Sequence, residues 1–248
     1  FRGMGRDDFA VFNADDPLCL RIARETAAKK LFFGSKDIGR VHAWIEGSKI
    51  FVQLRGSKPI RLTPPKLPGY HNLENAMAAA LLALSRAVKP AAIQKAFQSF
   101  KGVEHRLEEC GPVRGLRCIN DSKATNIDST LVALKAFLEA PDGASKRLLL
   151  ILGGLHKGMP YTPLRSLVER GVKAILTIGA AARKIEEDLA SAAPIFPCGD
   201  LATAVDTALK IGSKADVLLL SPACASFDQF KDFEDRGRRF KELVRASR

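Results

Sequence analysis

Hydrophobic and polar positions in the second half of the chain follow a regular succession of strand-length and helix-length patterns. Short apolar runs alternate with amphipathic stretches, and the turns between them are short. This alternation predicts a doubly wound, mainly parallel, Rossmann-like α/β sheet with right-handed crossovers. A strand hairpin at 107–113 and 116–120 precedes helices predicted at 127–137, 163–170, 181–190, 201–211 and 227–246 and strands predicted at 147–152, 173–178, 195–197 and 216–220.

The first half of the chain predicts a smaller layer of strands, antiparallel hairpins and helices. Asp16-Pro17 is typical of a helix start, since proline lacks the N–H that the first turn leaves unpaired. The helical period ends at 101–106, and we therefore expect one domain at 1–102 and a second at 103–248. Strands are predicted at 9–13, 30–33, 41–45, 50–54 and 60–62, and helices at 16–28, 72–87 and 90–100.

Three predicted strands of the second half each end in a loop rich in polar groups. The loops are 120–126 (NDSKATN), 153–158 (GGLHKG) and 221–226 (SPACAS). In an open α/β sheet, ligands bind outside the carboxyl ends of the strands, where helix N-termini offer free N–H groups and a partial positive charge. The sequence therefore predicts chemistry on an anion at this edge.

Several residues of these loops also have a purely structural interpretation. Thr125 with Asp128, and Ser226 with Gln229, have the spacing of helix-capping boxes. The glycine loop around Lys157 matches neither the Walker nor the dinucleotide fingerprint. It is either a flexible loop that presents the lysine to a carboxylate or an ordinary exposed turn. At this point both interpretations stay open.

Charge and composition exclude some classes of protein. The 248 residues carry a formal net charge of +12, but Lys and Arg are spread along the chain and mixed with acidic residues. That mixture, with few aromatic residues, is more typical of solvated helix faces than of a nucleic-acid surface. No apolar run approaches the roughly 20 residues that span a bilayer.

The termini and cysteines suggest where the protein works. The five cysteines are scattered without metal-ligand spacing, which favours a reduced, cytoplasmic setting and predicts no metal site. The chain begins at Phe1 without the apolar segment of a secretory signal, and we expect it to be a piece of a longer protein. We expect no nucleic-acid or membrane partner.

Five segments together resemble the Mur ligase family, and within it the members that add D-glutamate. The resemblance runs in order over nearly the whole chain. The segments are 13–16 (NADD), 69–76 (GYHNLENA), 104–106 (EHR), 120–126 (NDSKATN) and 220–230 (LSPACASFDQF).

This resemblance implies an ATP-dependent amide ligase. Such a ligase joins D-glutamate to UDP-N-acetylmuramoyl-L-alanine through an acyl phosphate, with ATP and Mg²⁺, in the peptidoglycan synthesis that supports cell shape and division. Residues 1–102 would be the end of the central ATP-binding domain and 103–248 the glutamate-binding domain. Because the chain contains no Walker sequence, ATP and Mg²⁺ would need upstream residues for full binding. We expect the chain alone to be an inactive monomer.

The resemblance also implies roles for individual residues. Contacts to ATP are implied for Asn75, Arg106 and Asp121. Contacts to D-glutamate are implied for Thr125, Lys157, Ser226, Phe227 and Phe233. Lys123 would act catalytically beside the acyl phosphate, where a cation stabilises developing negative charge. Leu155 and His156 make the glycine loop less polar than the family pattern.

Three other functions are considered. Another ligase of the superfamily, such as a folylpolyglutamate synthase, would differ in amino-acid preference. A noncatalytic dinucleotide-binding module would bind NAD, although the G-x-G-x-x-G sequence is missing. A basic nucleic-acid-binding protein would bind arbitrary duplex with a steep salt dependence.

Overall fold

The computed structural model describes residues 1, 3–36, 39–54, 56–138 and 147–247. The chain forms two compact units, Phe1–Lys101 and Gly102–Arg248. The division lies one residue before the one expected from the sequence. Within the described residues, no helix combines the length and the hydropathy needed to cross a membrane.

The first unit contains a five-stranded sheet in the order β1-β2-β3-β4-β5. Neighbouring strands are parallel from β1 to β3 and antiparallel from β3 to β5. Its core packs β2, β4 and β5 against two helices, with Met77 and Leu81 fully buried. The strands are Phe9–Asn13, Lys29–Phe33, Ala43–Glu46, Lys49–Val52 and Ile60–Leu62, and the helices are α1 (Pro17–Ala23), α2 (Tyr70–Ser85) and α3 (Pro90–Ser99).

Helix α1 starts as predicted but ends earlier. The Asp16 side chain accepts hydrogen bonds from the backbone N–H groups of Leu18 and Cys19, which confirms it as the N-cap. The helix ends at Ala23 instead of residue 28. The Thr26 hydroxyl accepts from the N–H of Ala28 at 3.2 Å, a local bond that competes with helix continuation.

The second unit contains a six-stranded sheet in the order β10-β9-β8-β11-β7-β6. All pairs are parallel except β6 with β7, which confirms the predicted doubly wound fold. The strands are β6 (Glu108–Val113), β7 (Leu116–Asn120), β8 (Leu148–Gly153), β9 (Val172–Ile178), β10 (Ile195–Gly199) and β11 (Val217–Leu220). The helices are α4 (Ile127–Leu138), α5 (Arg165–Gly171, after a 3₁₀ turn Thr162–Leu164), α6 (Ala182–Asp188), α7 (Leu201–Ile211) and α8 (Phe233–Ala246).

Strand β8 shows why this half of the sequence has continuous apolar runs. Leu148, Leu150 and Leu152 pack on one face with residues of α4 and α5. Leu149 and Ile151 pack on the other face with residues of α7 and α8. All six residues of the strand are buried, as expected for a parallel strand covered by helices on both sides. The centre of the sheet is therefore a rigid support for the loops at its edge.

The last helix begins later than predicted. It starts at Phe233 instead of residue 227, and Asp232, not Ser226, is its N-cap. The Asp232 side chain accepts from the N–H of Asp235 at 2.6 Å, and acidic residues occupy the first turn, where they stabilise the positive end of the helix dipole. Ser226 closes only a single turn, since its carbonyl accepts from the N–H of Phe230 at 2.9 Å.

Candidate substrate site at the carboxyl edge of the second sheet

The three polar loops predicted from the sequence lie side by side. Their strands are neighbours in the order β8-β11-β7, and Leu220 pairs with Asn120 on one side and with Ile151 on the other. Backbone hydrogen bonds continue beyond the strands: the N–H of Gly153 donates to the carbonyl of Pro222 at 2.9 Å, and that of Leu155 to Ala225 at 2.8 Å. The loops therefore form one continuous surface.

The paired glycines 153 and 154 permit this close approach. Both have positive φ angles, 127° and 134°. A side chain on Gly153 would overlap the carbonyl of Ile178, and one on Gly154 would overlap that of Ala225. The glycines thus bring backbones together, which is a structural requirement separate from any contact with a ligand.

Arg236 holds two of the loops together from beneath. It is fully buried, and its guanidinium donates to the Ser122 hydroxyl and the Ser122 carbonyl, both at 2.9 Å. It also donates to the carbonyls of Cys224, at 3.2 Å, and Ala225, at 3.4 Å. Burial lowers its pKa to about 10, so the side chain is still charged at neutral pH.

The position of Arg236 corrects the interpretation of the last helix as a solvated face. That interpretation considered only the alternation of charges. Arg236, Phe240 and Val244 are all buried and follow one another at four-residue intervals, which places them on one helix face. That spacing is visible in the sequence and was the signal that could have identified Arg236.

Asp121 lies in a buried pocket of hydrogen-bond donors. One carboxylate oxygen accepts from the Ser221 hydroxyl at 2.8 Å, and the other from the N–H of Leu107 at 3.2 Å. Burial raises the pKa of Asp121 to about 7, although the two hydrogen bonds and the charge of Arg106 act in the opposite direction. Strong perturbation of this kind is typical of functional sites.

Lys123 and Phe233 contact each other. The Lys123 ammonium lies 3.7 Å from the centroid of the Phe233 ring, in a cation–π arrangement. The His105 and Phe233 rings are nearly perpendicular, with centroids 6.1 Å apart, and the Ser122 hydroxyl donates to the Phe233 carbonyl at 2.8 Å. The ring is fixed by these contacts, and the ammonium is held over it.

The cap of helix α4 also differs from the prediction. The side chain of Asn126, not that of Thr125, accepts the hydrogen bond from the N–H of Ser129, at 2.8 Å. The Thr125 hydroxyl is thereby left without a partner among the described residues, and the same holds for the hydroxyl of Ser226. Ser226 is buried. Thr125, by contrast, is partly exposed.

An open cleft of about 170 Å³ lies beside the glycine loop. Of the residues predicted to bind glutamate, only Lys157 is among the described residues that line it. Asn126 and Asp128 line one side and Ala223 another, so all three loops contribute. Lys157 is exposed, whereas Asp121 is buried in its own pocket, separate from the cleft lining.

Comparison with known proteins gives a consistent result. Residues 105–224 match the family described as Mur ligase, glutamate ligase domain. The UDP-N-acetylmuramoylalanine–D-glutamate ligase of Elusimicrobium minutum is 45% identical over 248 residues, which cover 99% of this chain and 53% of that protein. The ligase of the same name from Anaeromyxobacter dehalogenans is 46% identical, over 96% of this chain and 53% of its own length. Residues 105–224 of this chain belong to the Mur ligase family.

Solved Mur ligase structures share the fold at low sequence identity. A MurF ligase from Thermotoga maritima in complex with ADP superposes with a TM-score of 0.64 at 16% identity, over 99% of this chain and 55% of that one. MurF from Acinetobacter baumannii superposes with a TM-score of 0.66 at 18% identity, over 94% of this chain and 51% of that one. The chain thus spans about half the length of the Mur ligases that it matches.

The remaining predicted residues of this chain are exposed. Phe227 has 68% of its surface exposed, and Arg106 is also exposed. Asn75 lies in the first unit, on the exposed side of the second turn of α2. The three residues implied in ATP contacts therefore come from both units, with Asp121 alone buried.

Mg²⁺, which Mur ligases are expected to use, does not fit the one cluster of possible metal ligands found among the described residues. This cluster, Glu104, His105 and Glu108, has ligand atoms close enough for a metal ion. The Lys241 ammonium already donates to both of these carboxylates. Since Mg²⁺ prefers oxygen ligands and keeps most of its water, a site filled by an ammonium and an imidazole is unsuitable.

Proposed function

We propose that this chain is part of a UDP-N-acetylmuramoyl-L-alanine:D-glutamate ligase, an ATP-dependent enzyme of peptidoglycan synthesis and cell-wall formation. Its substrates would be D-glutamate, ATP and UDP-N-acetylmuramoyl-L-alanine. The names of relatives at 45% and 46% identity support this choice over other amino-acid ligases. The structural observation that carries it is the junction at one sheet edge of the three loops that contain Thr125, Lys157 and Ser226.

D-glutamate would bind between these loops through its two carboxylates. Lys157 would pair with one carboxylate at the mouth of the cleft through a charge-assisted hydrogen bond. Ser226 and Thr125 would donate their hydroxyl hydrogens to the other. Phe227 and Phe233 would supply apolar contact with the methylene groups of the ligand.

Lys123 would carry the catalytic charge. Its ammonium is held over the Phe233 ring and lies in the loop that also contains Thr125. A fixed cation there would stabilise negative charge that develops as the amine of D-glutamate attacks an activated carboxylate. Arg236 would keep this loop and the Ser226 loop in register.

Asn75, Arg106 and Asp121 would contact ATP. The exposed guanidinium of Arg106 suits a phosphate or ribose oxygen, and the Asp121 carboxylate suits a ribose hydroxyl. ATP, when bound, supplies the activation of the acceptor carboxylate as an acyl phosphate.

Titration of the chain with D-glutamate tests the proposal. We expect binding in the millimolar range or weaker, because the closed site of a ligase needs further domains to exclude water. Lys157→Gln should weaken binding about tenfold, because the variant loses one charge-assisted hydrogen bond to the ligand. Lys210→Gln, at an exposed position of α7, is the matched control and should leave binding unchanged. Equal affinities of the Lys157→Gln variant and the unchanged chain would contradict the proposed site.

A further inference from the structure

Tyr161 joins the glycine loop to the loop of β11 through its hydroxyl group. The hydroxyl lies 2.8 Å from the Cys224 sulfur and 3.2 Å from Nδ1 of His156. Tyr161 has only 1% of its surface exposed, and its hydroxyl is the middle member of this hydrogen-bonded chain. His156 directly precedes Lys157, and Cys224 lies two residues before Ser226.

Tyr161 is itself held firmly in place. Its backbone N–H donates to the Asp188 carboxylate at 2.8 Å, and its carbonyl accepts from the N–H of Leu164 at 3.0 Å. Its ring packs into the core between the helices and the sheet. The side chain therefore provides a fixed point from which both loops are positioned.

The hydrogen-bonding capacity of the three groups fits this arrangement. Burial raises the pKa of both Tyr161 and Cys224, so the phenol and the thiol keep their protons at neutral pH. The phenol can donate to one neighbour and accept from the other, whichever ring nitrogen of His156 carries a proton. The chain is satisfied in either tautomer.

We propose that Tyr161 is a positioning residue that determines which length of acidic amino acid the site accepts. This inference rests on the proposed function. If Lys157 binds one carboxylate of the ligand and Ser226 binds the other, the distance between these two groups determines which chain length of dicarboxylate fits. The hydrogen-bonded chain through Tyr161 fixes that separation together with the backbone bond from Leu155 to Ala225, since both connect the glycine loop to the loop of Ser226.

The composition of the cleft supports a role for spacing. Its walls include Met159, Pro160 and Pro163, which carry no charge. The charged side chains of the lining are Lys157, which can pair with a carboxylate, and Asp128, which repels one. An apolar wall alone distinguishes ligands that differ by one methylene only modestly, whereas fixed polar groups reject a ligand that leaves them unpaired. Discrimination between D-glutamate and its shorter or longer homologues should therefore depend on how rigidly Lys157 and Ser226 are spaced.

The test compares Tyr161→Phe with Tyr70→Phe. Tyr161→Phe removes one oxygen atom and keeps the ring that packs in the core. Tyr70 is the only other tyrosine of the sequence and lies half-exposed in the first unit, which makes it a matched control. Each protein is titrated with D-glutamate, D-aspartate and D-2-aminoadipate by NMR, and amide hydrogen exchange at Leu155 is measured without ligand.

We expect Tyr161→Phe to bind D-glutamate about fivefold more weakly, the equivalent of one net hydrogen bond, and to lose most of its preference over the two homologues. The Leu155 amide, which donates to Ala225, should exchange faster. Cys224→Ala removes one end of the same chain and should have the same effect, with no further effect in the double variant. Tyr70→Phe should behave as the unchanged chain.

The outcomes separate this inference from the proposed function. Unchanged preference in Tyr161→Phe overturns the inference, even if the Leu155 amide exchanges faster. If the unchanged chain binds none of the three acids, the proposed function and the selectivity role both fail, while the exchange data still show whether Tyr161 connects the loops. Equal loss of affinity for all three acids identifies a structural role only and also overturns the inference.

Discussion

Replacing Asp121 by asparagine should stabilise the second unit, and the gain should grow with pH. Asparagine has nearly the same shape: its oxygen can accept from the N–H of Leu107, and its amide can donate to the Ser221 hydroxyl, the two partners of the native carboxylate. The substitution removes the ionisable group and keeps the hydrogen bonds.

The size of the effect follows from the pKa. Burial raises the pKa of Asp121 from 3.8 to about 7. Because the folded chain holds this proton more tightly than the unfolded chain, folding stability falls as pH rises from about 4 to about 7 and is then constant. At 1.36 kcal/mol per pH unit, the full loss is about 4 kcal/mol. Between pH 5 and pH 8, the advantage of Asp121→Asn should increase by about 2.5 kcal/mol.

Urea unfolding at a series of pH values measures this difference. Circular dichroism follows both units, and the fluorescence of Trp44, the only tryptophan of the sequence and part of β3, follows the first unit alone. Trp44 fluorescence should show the same midpoint with and without Asp121→Asn. The exposed Asp206→Asn on α7 controls for the loss of one negative charge. An advantage of Asp121→Asn that is independent of pH would refute the reasoning.

Three further predictions concern stability and activity. Arg236→Met should destabilise the second unit by about 3 kcal/mol, because three buried carbonyls and a hydroxyl each lose one donor. The exposed Arg239→Met should cost less than about 0.5 kcal/mol, and urea midpoints compare the two variants. Asp232→Ala should cost about 1 kcal/mol through loss of the α8 cap, measurable by the same unfolding curves. The chain alone should release no phosphate from ATP with both substrates present, because its 248 residues contain no Walker sequence; robust release in a phosphate assay would contradict this.

The sequence predicted the positions of the three loops because parallel strands place their carboxyl ends at one edge. The apolar runs of β7, β8 and β11 were long enough to identify, and the polar residues that follow them were therefore expected to meet. The sequence does not specify which strands are neighbours in the sheet. The structure shows that β8, β11 and β7 are adjacent.

Local competition between capping residues was harder to predict. Thr125 and Asn126 are both good N-caps, and a shift of one residue decides which hydroxyl or amide stays free. Ser226 and Asp232 compete in the same way, six residues apart. The sequence spacing evaluates each candidate cap separately. In the folded protein, the helix begins where its apolar face packs against the core, and in α8 that face includes Phe240.

The burial of Arg236 was the other feature that the sequence analysis missed. Arg236 stands among exposed charged residues of α8, and its acceptors are backbone carbonyls of loops more than ten residues away in the chain. Every residue has a backbone carbonyl, so the side-chain pattern does not indicate which carbonyls will accept a hydrogen bond from a buried arginine. The hydrogen-bonded chain through Tyr161 was missed for a related reason, since Cys224 is 63 residues distant.

The central claim is that one acidic amino acid binds where the three loops meet. Mapping backbone amide NMR shifts during a D-glutamate titration tests it most directly. The account predicts the largest shifts in 121–126, 154–158 and 223–227 together, with one common binding curve. Shifts confined to a single loop, or spread over the first unit, would contradict it.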